Sequence, residues 1–319
     1  MILLSQKLNN KLQHTGIVAG IAFVCCALWG SAFSGVKIGY SEMQMTSDDW
    51  ASQMLFAGIR FFFAGIMALI AGSILQKKLL LPDRRSIPAI GIISLFQTIL
   101  QYFFYYIGLA HTTGVKASVL VSANVFAAIL IAGAVGQERL TIRKLTGCVI
   151  GFAGIVLVNC FSETVDCNLN LNFLGDGFIL LCTIASGCSS VCMKKYTAKG
   201  ENPVLLSGWQ FTFGGAVMAL VGMLAGGSLH LTGKAILILG YLAFVSACAY
   251  SLWAVLLQHN PVSKVTVFGF LNPVCGVMIS SIILHERGLF NWQGITALIL
   301  VCAGIITVNL EKSEKNYKL

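Results

Sequence analysis

Polar side chains set inside long apolar runs are the residues of this sequence best placed to do chemistry. A polar group in hydrocarbon costs free energy unless it finds a partner or faces water. Asn124 and Asn272 each stand deep in such a run, roughly 12 Å from its start at the helical rise per residue. That depth approaches a bilayer midplane and makes both candidates for contacting a solute; the competing reading is an interhelical hydrogen bond worth about 0.6 kcal/mol. Gln97, Gln101 and Tyr105 recur every fourth residue and so share one helical face. Tyr102, Tyr250 and Trp253 add rings able to stack on, or hydrogen-bond to, an amphipathic solute, the mixture that small-molecule pockets use. Trp29 and Ser34 from an earlier run and Ser186 from a later one complete the candidate substrate-binding set. For the serines the plainer role is close helix approach, shared with Gly30, Gly35 and Gly187, or a hydroxyl bonded to its own helix.

Arg60 lies eight residues inside its apolar segment without an acidic residue at similar depth. It either meets the carboxylate or phosphate of a substrate or is satisfied by carbonyls and snorkelling, and the structural role is the favoured one. Catalysis in a membrane needs paired aspartates, H-E-x-x-H, or serine with histidine, and none of these patterns is present. A phosphate-binding P-loop is also missing, so neither an enzyme nor a nucleotide-driven pump is expected, and no cofactor or metal is implied. The eleven cysteines fall mostly within apolar segments without C-x-x-C spacing and read as small core residues, with Cys167 and Cys160 the exceptions near loops.

The elements that must position these groups are transmembrane helices. Of 319 residues, 57% are hydrophobic and 10% charged, against roughly 25% charged in a soluble domain. A spanning helix needs about 20 apolar residues, and ten segments qualify, approximately 15–38, 52–75, 87–110, 117–135, 145–161, 175–193, 203–224, 235–257, 265–284 and 292–309. The connections are too short for an extramembrane catalytic domain, so residues 1–319 read as a single transmembrane domain. Basic residues favour cytoplasmic loops. An internal N-terminus puts sixteen Lys and Arg inside and four (Lys37, Lys116, Lys234 and Arg287) outside, with Arg60 intramembrane. The net charge of +9 is therefore a topology signal, not a nucleic-acid footprint. Both termini are expected in the cytoplasm, Cys167 outside, and the chain in a cytoplasmic membrane.

The two halves repeat. A shift of 148 residues lays Tyr102 on Tyr250, Tyr105 on Trp253, His111 on His259, Asn124 on Asn272 and Glu138-Arg139 on Glu286-Arg287. A shift of 150 lays Gly58, Phe61, Phe63 and Gly65 on Gly208, Phe211, Phe213 and Gly215. Repeat 1 covers about 15–161 and repeat 2 about 175–309; five helices each, an odd number, means that the second copy enters the membrane from the opposite side. Inverted repeats expose a central site to either face by exchanging the conformations of their halves.

Trp29-Gly30-Ser31, Arg60 before Phe61-Phe62-Phe63, the stretch from Tyr105 to Leu120, and Glu138-Arg139-Leu140-Thr141 followed by Gly147 and Gly154 resemble the EamA family of the drug/metabolite transporter superfamily, echoed by Asn272-Pro273 and His285-Glu286-Arg287. Val125 stands where the pattern usually has proline and Ala297 where it has a packing glycine. The resemblance implies export of amino acids, related metabolites or drugs through a cavity between the halves. The expected function is a secondary transporter or facilitator of a small organic metabolite; a membrane-embedded enzyme or a solute-binding receptor without transport is the alternative. The expected partners are that small molecule and the lipid bilayer, with no nucleic acid, and a chain carrying both repeats can act as a monomer. With no Asp or Glu near mid-helix, and Asp176 nearest at the start of the sixth, facilitated diffusion or exchange is expected over strong proton coupling.

Overall fold

The computed structural model describes residues 12–46, 48–111, 117, 120–160, 172–283 and 292–310. The described residues are helical throughout their regular structure. The helices are α1 (Thr15–Glu42), α2 (Trp50–Gln76), α3 (Ser86–Ile93), α4 (Gln101–Ala110), α5 (Asn124–Ala134), α6 (Ile142–Cys160), α7 (Phe178–Ala198), α8 (Pro203–Leu224), α9 (Gly233–His259), α10 (Val262–Thr266), α11 (Leu271–Ile283) and α12 (Trp292–Asn309). A π segment, Ser94–Leu100, joins α3 to α4, a second π turn, Phe173–Gly177, opens α7, and a 3-10 turn, Val267–Phe270, joins α10 to α11. Among the described residues six helices are long and apolar enough to cross a membrane, the third being the joined run 86–109 and the fourth the run 173–198. Local signals set the starts. Asp49 accepts from the Ser52 N–H to begin α2, Asn202 caps α8 with Pro203 in its first turn, and Thr232 caps α9.

Three expected helices are interrupted. The third segment carries the π segment, and the ninth is divided by the 3-10 turn. In the fourth, Ala123 breaks the helix just before Asn124. Asn124 and Asn272 therefore stand at the first and second residues of α5 and α11, just after breaks, and not eight residues into continuous helices. Periodicity reports an apolar face without reporting whether i→i−4 bonding persists along it, which is why the runs looked unbroken.

Packing follows the repeat. The most extensive pairings join equivalent helices, α2 with α8 and α6 with α12. α1 packs on α9 and α11, and its counterpart α7 packs on α4 and α5. Glycines set these contacts. A Cβ at Gly58 would lie 2.2 Å from the Ala219 nitrogen, one at Gly65 2.4 Å from the Thr212 nitrogen, and one at Gly215 2.4 Å from the Phe62 nitrogen. Residue numbers rise along α2 as they fall along α8, so the two equivalent helices are antiparallel. The same sense holds where Gly147 meets Val308 and Gly304 meets Gly151. Gly30 of α1 abuts the backbone at Cys275 and Gly276, while Gly187 of α7 abuts that at Ala127 and Ala128, the same contact made once by each repeat, with an offset of 148 between the abutted residues and 157 between the glycines. Outward faces are apolar in both copies: Phe63 and Phe213 are each 52% exposed, the surface a bilayer solvates.

Cys25, Cys26, Cys148, Cys182 and Cys275 pack as small core residues and Cys188, Cys192 and Cys248 are half-buried, whereas Cys302, also expected in the core, is exposed on the outer face of α12. Cys25 and Cys26 are fully buried, with their thiols toward the Ala249 and Phe268 carbonyls. At one end of the bundle Glu138 pairs with Lys144 at 3.0 Å and accepts from the Ser263 backbone N–H at 3.1 Å, tying the two repeats together. Cys167, Lys116, Glu286 and Arg287 lie outside the described residues, as do the side chains of Cys160 and Ala297.

Candidate functional site

Two ring pairs mark the axis that relates the repeats. Phe61 stacks on Phe211, its own counterpart, with centroids 5.1 Å apart and planes 6° from parallel. Tyr102 and Tyr250, also counterparts, join hydroxyl to hydroxyl at 3.0 Å. The pairs touch one another, Phe61 against Tyr102 at 4.4 Å and Phe211 against Tyr250 at 4.8 Å. Trp29 leans edge-on against both Tyr250 and Trp253, each at 5.0 Å. Tyr105 and Tyr106 extend the cluster beyond Tyr102. These rings are brought together because α2 and α8 approach backbone to backbone along their glycines, carrying Phe61 and Phe211 into contact at the crossing.

Beside the rings, two hydrogen bonds repeat with the same symmetry. Arg60 on α2 donates from Nε and Nη2 to Ser246 Oγ on α9, at 3.2 and 2.9 Å. Its counterpart Gln210 on α8 accepts from Thr98 Oγ1 in the π segment at 2.7 Å. Thr98 and Ser246 are 148 residues apart, as Tyr102 and Tyr250 are. Arg60 is 6% exposed and also lies over the Phe61 ring at 5.0 Å. The Phe61 ring under it packs in turn on Tyr102, so the guanidinium sits beside the aromatic cluster.

The other sequence candidates distribute as follows. Gln97 is buried within the π segment, and Gln101 follows that segment as the first residue of α4. Asn124 borders Gly269, the first link between the fourth-helix break of one repeat and the 3-10 turn of the other. The Asn272 amide oxygen is buried without a hydrogen-bond partner among the described residues, as is the Trp29 indole nitrogen. Such atoms are where a bound solute or water finds an unspent polar group. Ser34 is buried and lines a groove of about 290 Å³ between α1 and α9, together with Ser31, Gly35, Ile38, Lys234, Leu237, Ile238 and Tyr241. The Ser186 carbonyl accepts from Ser189 and Ser190, the own-helix bonding expected of hydroxyls in apolar helices.

The structure thus joins Trp29, Tyr102, Tyr105, Tyr250 and Trp253 in one cluster and sets Asn124, Asn272 and Ser34 elsewhere. Phe61, Phe211, Gln210, Thr98 and Ser246 were not singled out as site residues from sequence. The signal was available in the repeat itself, since the shift that lays Phe61 on Phe211 also lays Arg60 on Gln210.

With this geometry established, the similarities fall into place. A solved crystal structure superposes with a TM-score of 0.76 at 18% identity, covering 92% of this chain and 96% of the other, which supports the fold. A probable amino-acid metabolite efflux pump of Salmonella typhimurium is 23% identical over 301 residues, covering 89% of this chain and 92% of that protein. An uncharacterized transporter of Archaeoglobus fulgidus is 25% identical over 267 residues, covering 81% of this chain and 87% of that protein. The model of the EamA-like transporter family matches twice, at residues 16–160 and 173–310, one match on each repeat. The chain belongs to the EamA-like transporter family.

Proposed function

We propose that this protein is a secondary transporter or facilitator that moves a small organic metabolite, of amino-acid size and in the export direction, across the cytoplasmic membrane by alternating access. Ten spans in two inverted repeats, with both termini cytoplasmic, are the architecture that goes with this reading. The observation that carries it is the pairing of Phe61 with Phe211 and of Tyr102 with Tyr250. A site assembled from equivalent residues of antiparallel repeats meets the same contacts when the halves exchange conformations, so it can be offered to either face. The efflux-pump description of the Salmonella relative agrees with a metabolite cargo.

Counterflow in liposomes carrying the purified protein tests the proposal directly. Exchange of labelled amino acids or related metabolites, above that of protein-free vesicles, is the expected outcome. Binding of a solute without any flux would instead fit a receptor and sink the transport reading.

A further inference from the structure

The repeat provides an internal control for Arg60. Gln210 occupies the equivalent position, is equally enclosed at 0% exposure, bonds the equivalent partner Thr98, and flanks the same stacked pair of phenylalanines. It does this with a neutral amide. Helix packing at this position therefore requires a hydrogen-bonding group and not a cation. A buried charge without a counter-charge is costly, and among the described residues the direct contacts of Arg60 are a neutral serine hydroxyl and a ring face. The surrounding tyrosine hydroxyls supply dipoles and no compensating negative charge.

A second asymmetry lies beside it. Aligning Gly30 with Gly187, whose contacts match across the repeats, puts Ser186 where the other copy has Trp29. The indole of Trp29 packs on Tyr250 and Trp253. The two-fold assigns Ser186 the same station toward Tyr102 and Tyr105, the counterparts of those rings, with a side chain far smaller than an indole. The buried charge and the smaller of the two equivalent side chains thus fall around the same tyrosines.

We propose that the cargo bears a carboxylate neutralised by Arg60, with its apolar body seated off the axis against Tyr102 and Tyr105 on the Ser186 side. A single guanidinium among neutral hydroxyls matches a singly charged planar carboxylate and leaves a doubly charged phosphate half-compensated. This deepens the transport reading and rests on it for the location of the site.

The matched probes are N-acetyl-L-phenylalanine and N-acetyl-L-phenylalaninamide, with the corresponding alanine pair, which differ in the charge alone. Thermal stabilisation of the purified protein and inhibition of counterflow are measured for both. The acids should act at least about tenfold more strongly than the amides, the scale of a charged hydrogen bond. Arg60→Gln, which copies the second repeat, should erase that preference while melting close to wild type. Equal response to acid and amide, response to neither, or a preference that survives in Arg60→Gln would overturn the proposal. Failure of Arg60→Gln to fold would overturn it too, by making the charge structural. Stabilisation by the acids without flux of any cargo would keep the anion site and remove the transport reading; flux without acid preference would do the reverse.

Discussion

The seams between equivalent helices and the aromatic centre lie on the same pseudo-two-fold axis but use symmetry in opposite ways. Along α2 and α8, Gly58, Gly65, Gly208 and Gly215 bring main chains into contact, and both copies carry the same residue type. In the centre the copies diverge: Arg60 against Gln210, Trp29 against Ser186, Tyr105 against Trp253. Seams hold the fold and tolerate no added atom, so neither copy can change without loss. On the proposed transport reading, the centre recognises a solute that is not itself two-fold symmetric, and the divergence there is what would carry the recognition.

The largest expected effect is at the seam. Gly58→Leu or Gly215→Leu drives side-chain atoms into the backbone of the opposite helix, and more than about 3 kcal/mol of destabilisation is expected, since main chain cannot relax as a side-chain tip does. Yield and melting temperature of the purified variants check this; near-normal melting would mean that the seam is looser than its contacts imply. Next comes Ser186→Trp, which gives the second repeat the bulk of the first. Transport should fall at least about tenfold, the equivalent of about 1.4 kcal/mol of lost binding, with folding retained; unchanged flux would remove the off-axis seat.

The two symmetric hydrogen bonds sharpen the contrast further. Ser246→Ala strands part of a buried guanidinium and should cost about 1.5–3 kcal/mol, whereas Thr98→Val breaks the neutral version and should cost about 1 kcal/mol. Equal costs in a chemical melt would deny that charge distinguishes the pair. Asn124→Leu and Asn272→Leu should lower flux more than stability, because the Asn272 oxygen has no partner to lose among the described residues. The reverse ranking would make both asparagines packing elements.

The smallest effect belongs to the surface. Asp83, between α2 and α3, accepts from the Ser86 backbone N–H and hydroxyl and from the Arg85 N–H, which hold its carboxyl below the usual carboxylate range. Because the folded state lowers this pKa, the group stabilises above the ordinary carboxylate range and loses that contribution as pH falls through its folded value. Asp83→Asn should slightly flatten the acid side of a stability profile and leave transport untouched.

Composition, the ten apolar segments and the internal repeat were legible from the chain alone, because hydropathy and self-similarity are properties of residue order. The glycines could be suspected as packing residues, and Tyr102, Tyr250 and Trp253 as a cluster, for the same reason. Helix continuity was not legible. The break at Ala123, the 3-10 turn before Leu271 and the π segment around Gln97 depend on which backbone bonds survive when neighbouring helices press on one another. Pairing across the axis was decided by tertiary structure as well. A repeat offset names counterparts, but only the antiparallel crossing of α2 and α8 puts Phe61 on Phe211 and leaves Arg60 and Gln210 answering to different helices. Side-chain type sets what each residue can offer, and the close approach of the backbones decides what it meets.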